Sequence, residues 1–118
     1  MGKVLGIGGV FYKAQDPQSV RDWYAGVLGF ELTPWGGVKL PGSGASQQWS
    51  VFAADTDYMA PSEQPFMLNL VVEDLDGLLE RAAAAGAPVL ERQEEAYGRF
   101  AWLLDPAGVK VELWEPAG

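Results

Sequence analysis

The 118-residue chain contains no cysteine and no histidine. Without cysteine there are no disulfides, no thiolate nucleophile and no zinc–thiolate site. Without histidine there is no Ser-His-Asp or Cys-His chemistry, and no imidazole to hold a metal. Acid–base work is left to carboxylates, lysine, tyrosine and water. Positive charge is also scarce: eight Lys and Arg stand against sixteen Asp and Glu, a net charge of −8. Such a chain repels nucleic acid and anionic membranes, so neither is expected as a partner. No apolar run approaches the roughly 20 residues that span a bilayer. Met1-Gly2-Lys3 does not open a signal peptide, and a cytoplasmic domain is the expectation.

What is present suits one folded domain. Hydrophobic residues make up 48% and charged residues 20%, which is enough apolar surface for a core. At this size about two-thirds of the unfolded surface can be buried without a disulfide or a structural metal.

Two helices are legible. Asp16 can cap free amides, and Pro17 suits a first helical position that needs no donor. Val20, Trp23, Tyr24, Val27 and Leu28 then form one apolar stripe, and Gly29 sits where a helix takes a left-handed stop. Trp23 and Tyr24 are expected in the core. The same grammar returns at Asp74, followed by Leu75, Leu78, Leu79, Ala82 and Ala83 and ended by Gly86 and Pro88.

Each helix is preceded by an extended apolar segment, Ile7–Tyr12 in one half and Phe66–Val72 in the other. Each is followed by strand-like segments: Phe30–Leu32, Val38–Leu40 and Trp49–Ala53, then Pro88–Leu90, Tyr97–Leu104 and Val109–Trp114. The chain therefore reads as a tandem duplication of a strand–helix–strand–strand–strand unit, spanning 4–56 and 66–116. Pro41–Ser46 breaks up the first half, Asp105-Pro106-Ala107-Gly108 is a turn, and polar Asp55–Pro65 links the repeats. Gly6-Ile7-Gly8-Gly9 is not a dinucleotide loop, because no strand precedes it.

Three groups of residues carry a family resemblance: Trp23-Tyr24 with Leu28-Gly29, Val72-Glu73-Asp74, and Asp105-Pro106-Ala107-Gly108 followed by Glu112-Leu113. Together they resemble the vicinal oxygen chelate superfamily, which includes glyoxalase I, the bleomycin-resistance proteins and the extradiol dioxygenases. The resemblance implies an α+β fold of two βαβββ modules, whose mixed sheet curves into a cup and which is commonly dimerised. It also implies four metal-ligand positions on the cup strands. One falls on Gly9, one on Met67, one near Ser50 and one on Glu112. Glycine has no donor, a thioether is a poor ligand for hard divalent ions, and no carboxylate or imidazole lies between Leu32 and Ala54. Glu112 alone survives, so no metal or other cofactor is expected.

Strand alternation places Lys110, Glu112 and Trp114 on the cup face, with Val111 and Leu113 beneath the helices. Met67, Asn69 and Val71 share that face in one strand, and Ile7, Gly9, Phe11 and Lys13 in another. Glu112 is the candidate catalytic residue, as a general base or as an acceptor for a ligand. The alternative is a carboxylate held by Lys110, or by Arg99 across a hairpin with a four-residue turn. Trp35, Trp49, Trp102, Tyr97, Phe11, Phe52 and Trp114 are many aromatics for so small a domain. Some suit a planar ligand, and others suit the core or a dimer interface. The candidate ligand-binding residues are Phe11, Gln48, Ser50, Phe52, Met67, Asn69, Arg99 and Trp114. Gln93-Glu94-Glu95 and Glu63 read as solvated surface.

Three functions follow. The first is a protein of this superfamily with a degenerate metal site, binding a small aromatic or polar organic molecule. The second is a glyoxalase-related, metal-dependent lyase or dioxygenase using Glu112. The third is a non-catalytic structural dimer. A homodimer is expected under all three, by analogy with the family.

Overall fold

A computed structural model describes residues 2–40 and 47–117. The element order is β1 (Lys3–Ala14), α1 (Pro17–Leu28), β2 (Val38–Leu40), β3 (Gln47–Ala53), β4 (Phe66–Glu73), α2 (Leu75–Ala84), β5 (Glu91–Glu95), β6 (Gly98–Leu104) and β7 (Lys110–Pro116). The helices begin and end where their side chains dictate. The Asp16 carboxylate accepts the Ser19 amide at 3.2 Å, and the Asp74 carboxylate accepts that of Gly77 at the same distance. Gly29 closes α1 with φ 73°, and Gly86 follows α2 with φ 81°, both left-handed positions that suit glycine.

One seven-stranded sheet runs β2-β3-β1-β4-β7-β6-β5. β1 lies parallel to β3 and β4 parallel to β7, while β1 and β4 pair antiparallel. The two βα units thus meet along their first strands. On one face, α2 covers Val72, Leu75, Leu79, Ala101 and Leu113. On the same face, Val20 and Tyr24 of α1 pack against a separate cluster of Val38, Trp49 and Val51. The opposite face carries a third cluster of Met59, Met67 and Trp102, walled by Phe11, Phe52 and Phe100. That face is the cup. The open edge at β5 is a run of exposed, mostly charged residues, which discourages edge-to-edge pairing.

Four expectations need correction. Phe30–Leu32 is not a strand: the Phe30 amide bonds back to the Tyr24 carbonyl at 3.2 Å, which turns the chain over the helix end. The first unit therefore has three strands among the described residues, against four in the second. Pro88–Leu90 is not a strand either, and pairing with β6 begins in earnest at Glu91. Ile7 lies opposite Leu70, on the helix side, because β1 carries an irregularity between Ile7 and Gly9 that shifts its register. Trp23 is not core. It is 54% exposed: Val20 and Tyr24 take the places against the Trp49 cluster, and the Trp23 ring lies edge-on to Tyr24 outside it. The break expected at Pro41–Ser46 lies outside the described residues.

Candidate ligand-binding cup

β7 delivers Lys110, Glu112 and Trp114 to the cup, and Val111 and Leu113 to the helix side, as a two-residue period requires. The parallel register sets Glu112 beside Asn69 and Lys110 beside Met67. The antiparallel register sets Trp102 opposite Glu112 and Phe100 opposite Trp114. Three strands thus converge on one buried carboxylate.

Glu112 is 3% exposed. Its Oε1 accepts from Asn69 Nδ2 at 2.6 Å, and its Oε2 accepts from Trp102 Nε1 at 3.0 Å and from the Tyr58 hydroxyl. All three donors are neutral, so the groups that hold the buried carboxyl directly are hydrogen-bond donors and not a cation in contact with it. Neither Lys110 nor Arg99 holds it. The Lys110 ammonium donates instead to the Tyr58 carbonyl at 2.6 Å and lies over the rings of Tyr58 and Trp102, at 5.4 and 5.8 Å. Burial moves the Lys110 amine below the usual lysine range, although Glu91, Glu112 and Asp57 pull the other way. Burial, and then the charge on Glu112, pushes the Tyr58 phenol well above the ordinary tyrosine value. The Tyr58 hydroxyl therefore remains a donor.

The aromatic wall is ordered. Tyr58 stacks on Phe52 with the planes 4° apart and the centroids at 5.4 Å, and it meets Trp102 edge-on. Phe100 lies between Trp102 and Trp114, near-parallel to both at about 6 Å. Among the described residues, two side-chain polar atoms stay buried without a partner, Asn69 Oδ1 and Trp114 Nε1. The first faces Gly8, where any Cβ would collide with it, and the second packs on Gly98, where a Cβ would lie 2.7 Å away.

The sequence-derived candidates fall as follows. Glu112 is central, with Asn69 at its side and Met67 fully buried on the floor. Phe11 and Phe52 form the wall, meeting edge-on at 6.0 Å. Gln48 and Ser50 lie on the cup side of β3, opposite Gly9 and Phe11. Trp114 belongs to the stacked series. Arg99 is a correction: it sits opposite Glu115, on the helix side, and donates to Glu115 at 2.6 Å and to Asp76 at 3.2 Å. The connection between Leu104 and Lys110 is five residues long, not four, and one extra residue exchanges the faces of a whole strand. Asp105 stabilises that longer turn by accepting the amides of Ala107 and Val109 at 2.8 and 2.9 Å.

Sequence reasoning missed Tyr58, Met59 and Phe100, and named Trp102 only among the aromatics divided between a ligand, the core and an interface. Tyr58 and Met59 belong to the polar connection between the repeats, where no periodicity assigns a face. The one clue was a large aromatic and an apolar neighbour in a segment otherwise made of small, polar and proline residues.

The residues do not fit the divalent ion that the fold implies. The offset between Asp16 and Asp74 maps Asn69 onto Phe11, and Ser50 pairs with Phe11 as Glu112 pairs with Asn69. The four positions are therefore Gly9, Met67, Ser50 and Glu112. Both oxygens of Glu112 already accept from neutral donors. Among the described residues, no three His, Cys, Asp or Glu side chains gather to hold a metal. Nor is any helix there long and apolar enough to cross a membrane.

Comparison with known proteins agrees with this architecture. The family described as Glyoxalase-like domain matches residues 9–114. Comparison with curated proteins finds no match. Among solved structures, the chain is similar to methylmalonyl-CoA epimerase from Mycobacterium tuberculosis, at 22% identity and a TM-score of 0.69, covering 98% of this chain and 90% of that one. It is similar to Streptomyces coelicolor methylmalonyl-CoA epimerase in complex with 2-nitronate-propionyl-CoA, at 16% identity and a TM-score of 0.72, covering 98% and 100%. A glyoxalase/bleomycin resistance protein/dioxygenase superfamily member from Vibrio splendidus 12B01 is similar at 17% identity and a TM-score of 0.63, covering 98% and 99%. At such identities the structures speak for the fold, whereas the family match spans most of the sequence. The chain belongs to the glyoxalase-like domain family, within the vicinal oxygen chelate superfamily.

Proposed function

We propose that this chain binds a small organic molecule, aromatic or polar, in the cup, and that the family's metal site has been replaced by a hydrogen-bonded carboxylate. The observation that carries this reading is Glu112, buried and held by Asn69, Trp102 and Tyr58 instead of by metal-ligand partners. A carboxylate in that setting accepts hydrogen bonds strongly and favours a ligand that carries a donor. The aromatic series Trp102, Phe100 and Trp114 offers flat apolar surface beside it. Gln48 and Ser50 add orienting polar groups on the first half's side of the cup.

Elemental analysis tests the metal part, on protein purified without chelators or an affinity tag. The expected result is no stoichiometric divalent ion. One ion per chain would overturn the reading and make a glyoxalase- or dioxygenase-type metal enzyme the leading alternative. A thermal-shift screen of organic compounds tests the binding part. A ligand at a hundred times its Kd adds about 2.7 kcal/mol to stability, well within reach of such a screen.

A second reading, a non-catalytic structural dimer, has its own support. Met59 and Met67 are fully buried at the floor of the cup, packed against Trp102. Trp23, Val27 and Leu28 leave an apolar strip on α1, each more than half exposed, which suits a second copy. Homodimerisation belongs to both readings. A screen that finds no ligand, with a stable dimer in sedimentation, would favour the second.

A further inference from the structure

We propose that Tyr58 is a gating and specificity residue, and that the ligand is a planar ring compound bearing an O–H or N–H donor, which takes its place on Glu112 between Phe52 and Trp102. This inference rests on the ligand-binding reading above and narrows its chemistry. Tyr58 already has the form of such a ligand. Its ring stacks on Phe52 and meets Trp102 edge-on, and its hydroxyl donates to Glu112 Oε2 beside the Trp102 N–H.

Tyr58 is not built in as a core residue is. It is 36% exposed, whereas its neighbour Met59 is fully buried between Met67 and Trp102. The connection is pinned at further points that do not involve the Tyr58 ring. Lys110 Nζ donates to the Tyr58 backbone carbonyl, the Ser62 hydroxyl to the Gly108 carbonyl, and the Lys13 amide to the Pro65 carbonyl. With the backbone held at 58 and the next side chain anchored, a change of side-chain rotamer carries the ring towards solvent and opens the place beside Glu112. A ligand without a donor would then strip Glu112 of one hydrogen bond and leave it unreplaced. A ligand with a donor restores it. Discrimination against the analogue lacking the group follows from that difference.

Isothermal titration calorimetry with 4-methylphenol and toluene tests this on the wild type, Tyr58→Ala, Tyr58→Phe and Glu112→Gln. The expected result is that Tyr58→Ala binds 4-methylphenol about tenfold or more tightly than the wild type does, because no resident ring must leave. In that variant, 4-methylphenol is preferred over toluene by at least about tenfold, and Glu112→Gln shrinks the preference in the otherwise wild-type chain. If Tyr58→Ala does not fold, Tyr58→Phe keeps the ring and loses only the donor, so 4-methylphenol again binds it more tightly than it binds the wild type. Equal affinity for the two probes in the Tyr58 variants would overturn the gate. A donor-free compound that binds wild type and Tyr58→Ala alike in the cup would also overturn it, while leaving the ligand-binding reading intact. A wild type that binds nothing in a broad screen, while Tyr58→Ala takes both probes, would sink that reading as well and make Tyr58 a permanent plug.

Discussion

The two βα units carry the same capped helix and the same apolar stripe, yet only one of them buries it. α2 sets Leu75 and Leu79 into a core shared with β4, β6 and β7. α1 has no buried residue, and its Trp23, Val27 and Leu28 stand more than half exposed over a three-strand unit. A stripe at helical spacing defines which face is apolar, but not how much of that face leaves water: Val20 and Tyr24 pack on the Trp49 cluster, while Trp23, Val27 and Leu28 do not. The same asymmetry runs through the cup. The second half and the connection supply Glu112, Asn69, Trp102 and Tyr58, whereas the first half supplies Phe11 and Phe52 and puts Ser50 where Glu112's counterpart would be.

The largest effect that would sharpen this comparison is on stability. Leu75→Ala should lose about 2–5 kcal/mol in urea unfolding, and Leu28→Ala less than about 1 kcal/mol. Equal losses would break the contrast. Within the cup, Glu112→Ala should lose about 2–3 kcal/mol, because the Asn69 amide and the Trp102 N–H are left buried without an acceptor. Ser50→Ala, at the matching position, should lose less than about 1 kcal/mol.

A smaller effect belongs to Glu115, which accepts from the Leu75 amide and from Arg99 and so ties the start of α2 to the sheet. The Leu75 N–H first, and Arg99 second, hold its carboxyl below the usual value of 4.5. The folded value is depressed, so its stabilisation is full above the unfolded value and is lost as pH falls through the folded one. Glu115→Gln should therefore be about 1 kcal/mol less stable than wild type near neutral pH, with the gap closing in strong acid. Urea midpoints at several pH values would read this, and a gap that widens in acid would refute the sign. The smallest effect is expected at Trp23→Ser, which should shift monomer stability by less than about 0.5 kcal/mol. If α1 carries the dimer face, the same change should turn a dimer into a monomer in sedimentation.

Much of this was readable from the residues. The caps at Asp16 and Asp74 and the stops at Gly29 and Gly86 are local chemistry, and each stands where expected. Alternation sufficed to put Met67, Asn69 and Glu112 on one face, because β4 and β7 are regular and their opposite sides are plainly apolar. It failed for Ile7 and Arg99, where one irregularity after Ile7, or one extra turn residue after β6, exchanges the faces of the side chains that precede it. Phe30–Leu32 has strand composition, but the chain turns back at the helix end, and Phe30 and Leu32 join the Trp49 cluster without pairing. Tyr58 had no periodic signal at all, since a connection between repeats takes its shape from what it crosses.

The seam between β1 and β4 also sets what must come together before the site can exist. It pairs Lys3 with Glu73 and Tyr12 with Phe66, positions roughly half the chain apart. The β6–β7 hairpin, by contrast, needs only a short loop to close. Chain entropy must be spent on the long closure before any contact across the seam repays it. Because Phe11 and Phe52 stand on one side of it and Asn69 and Glu112 on the other, neither half of the chain contains the whole cup, and the site exists only once the seam has closed.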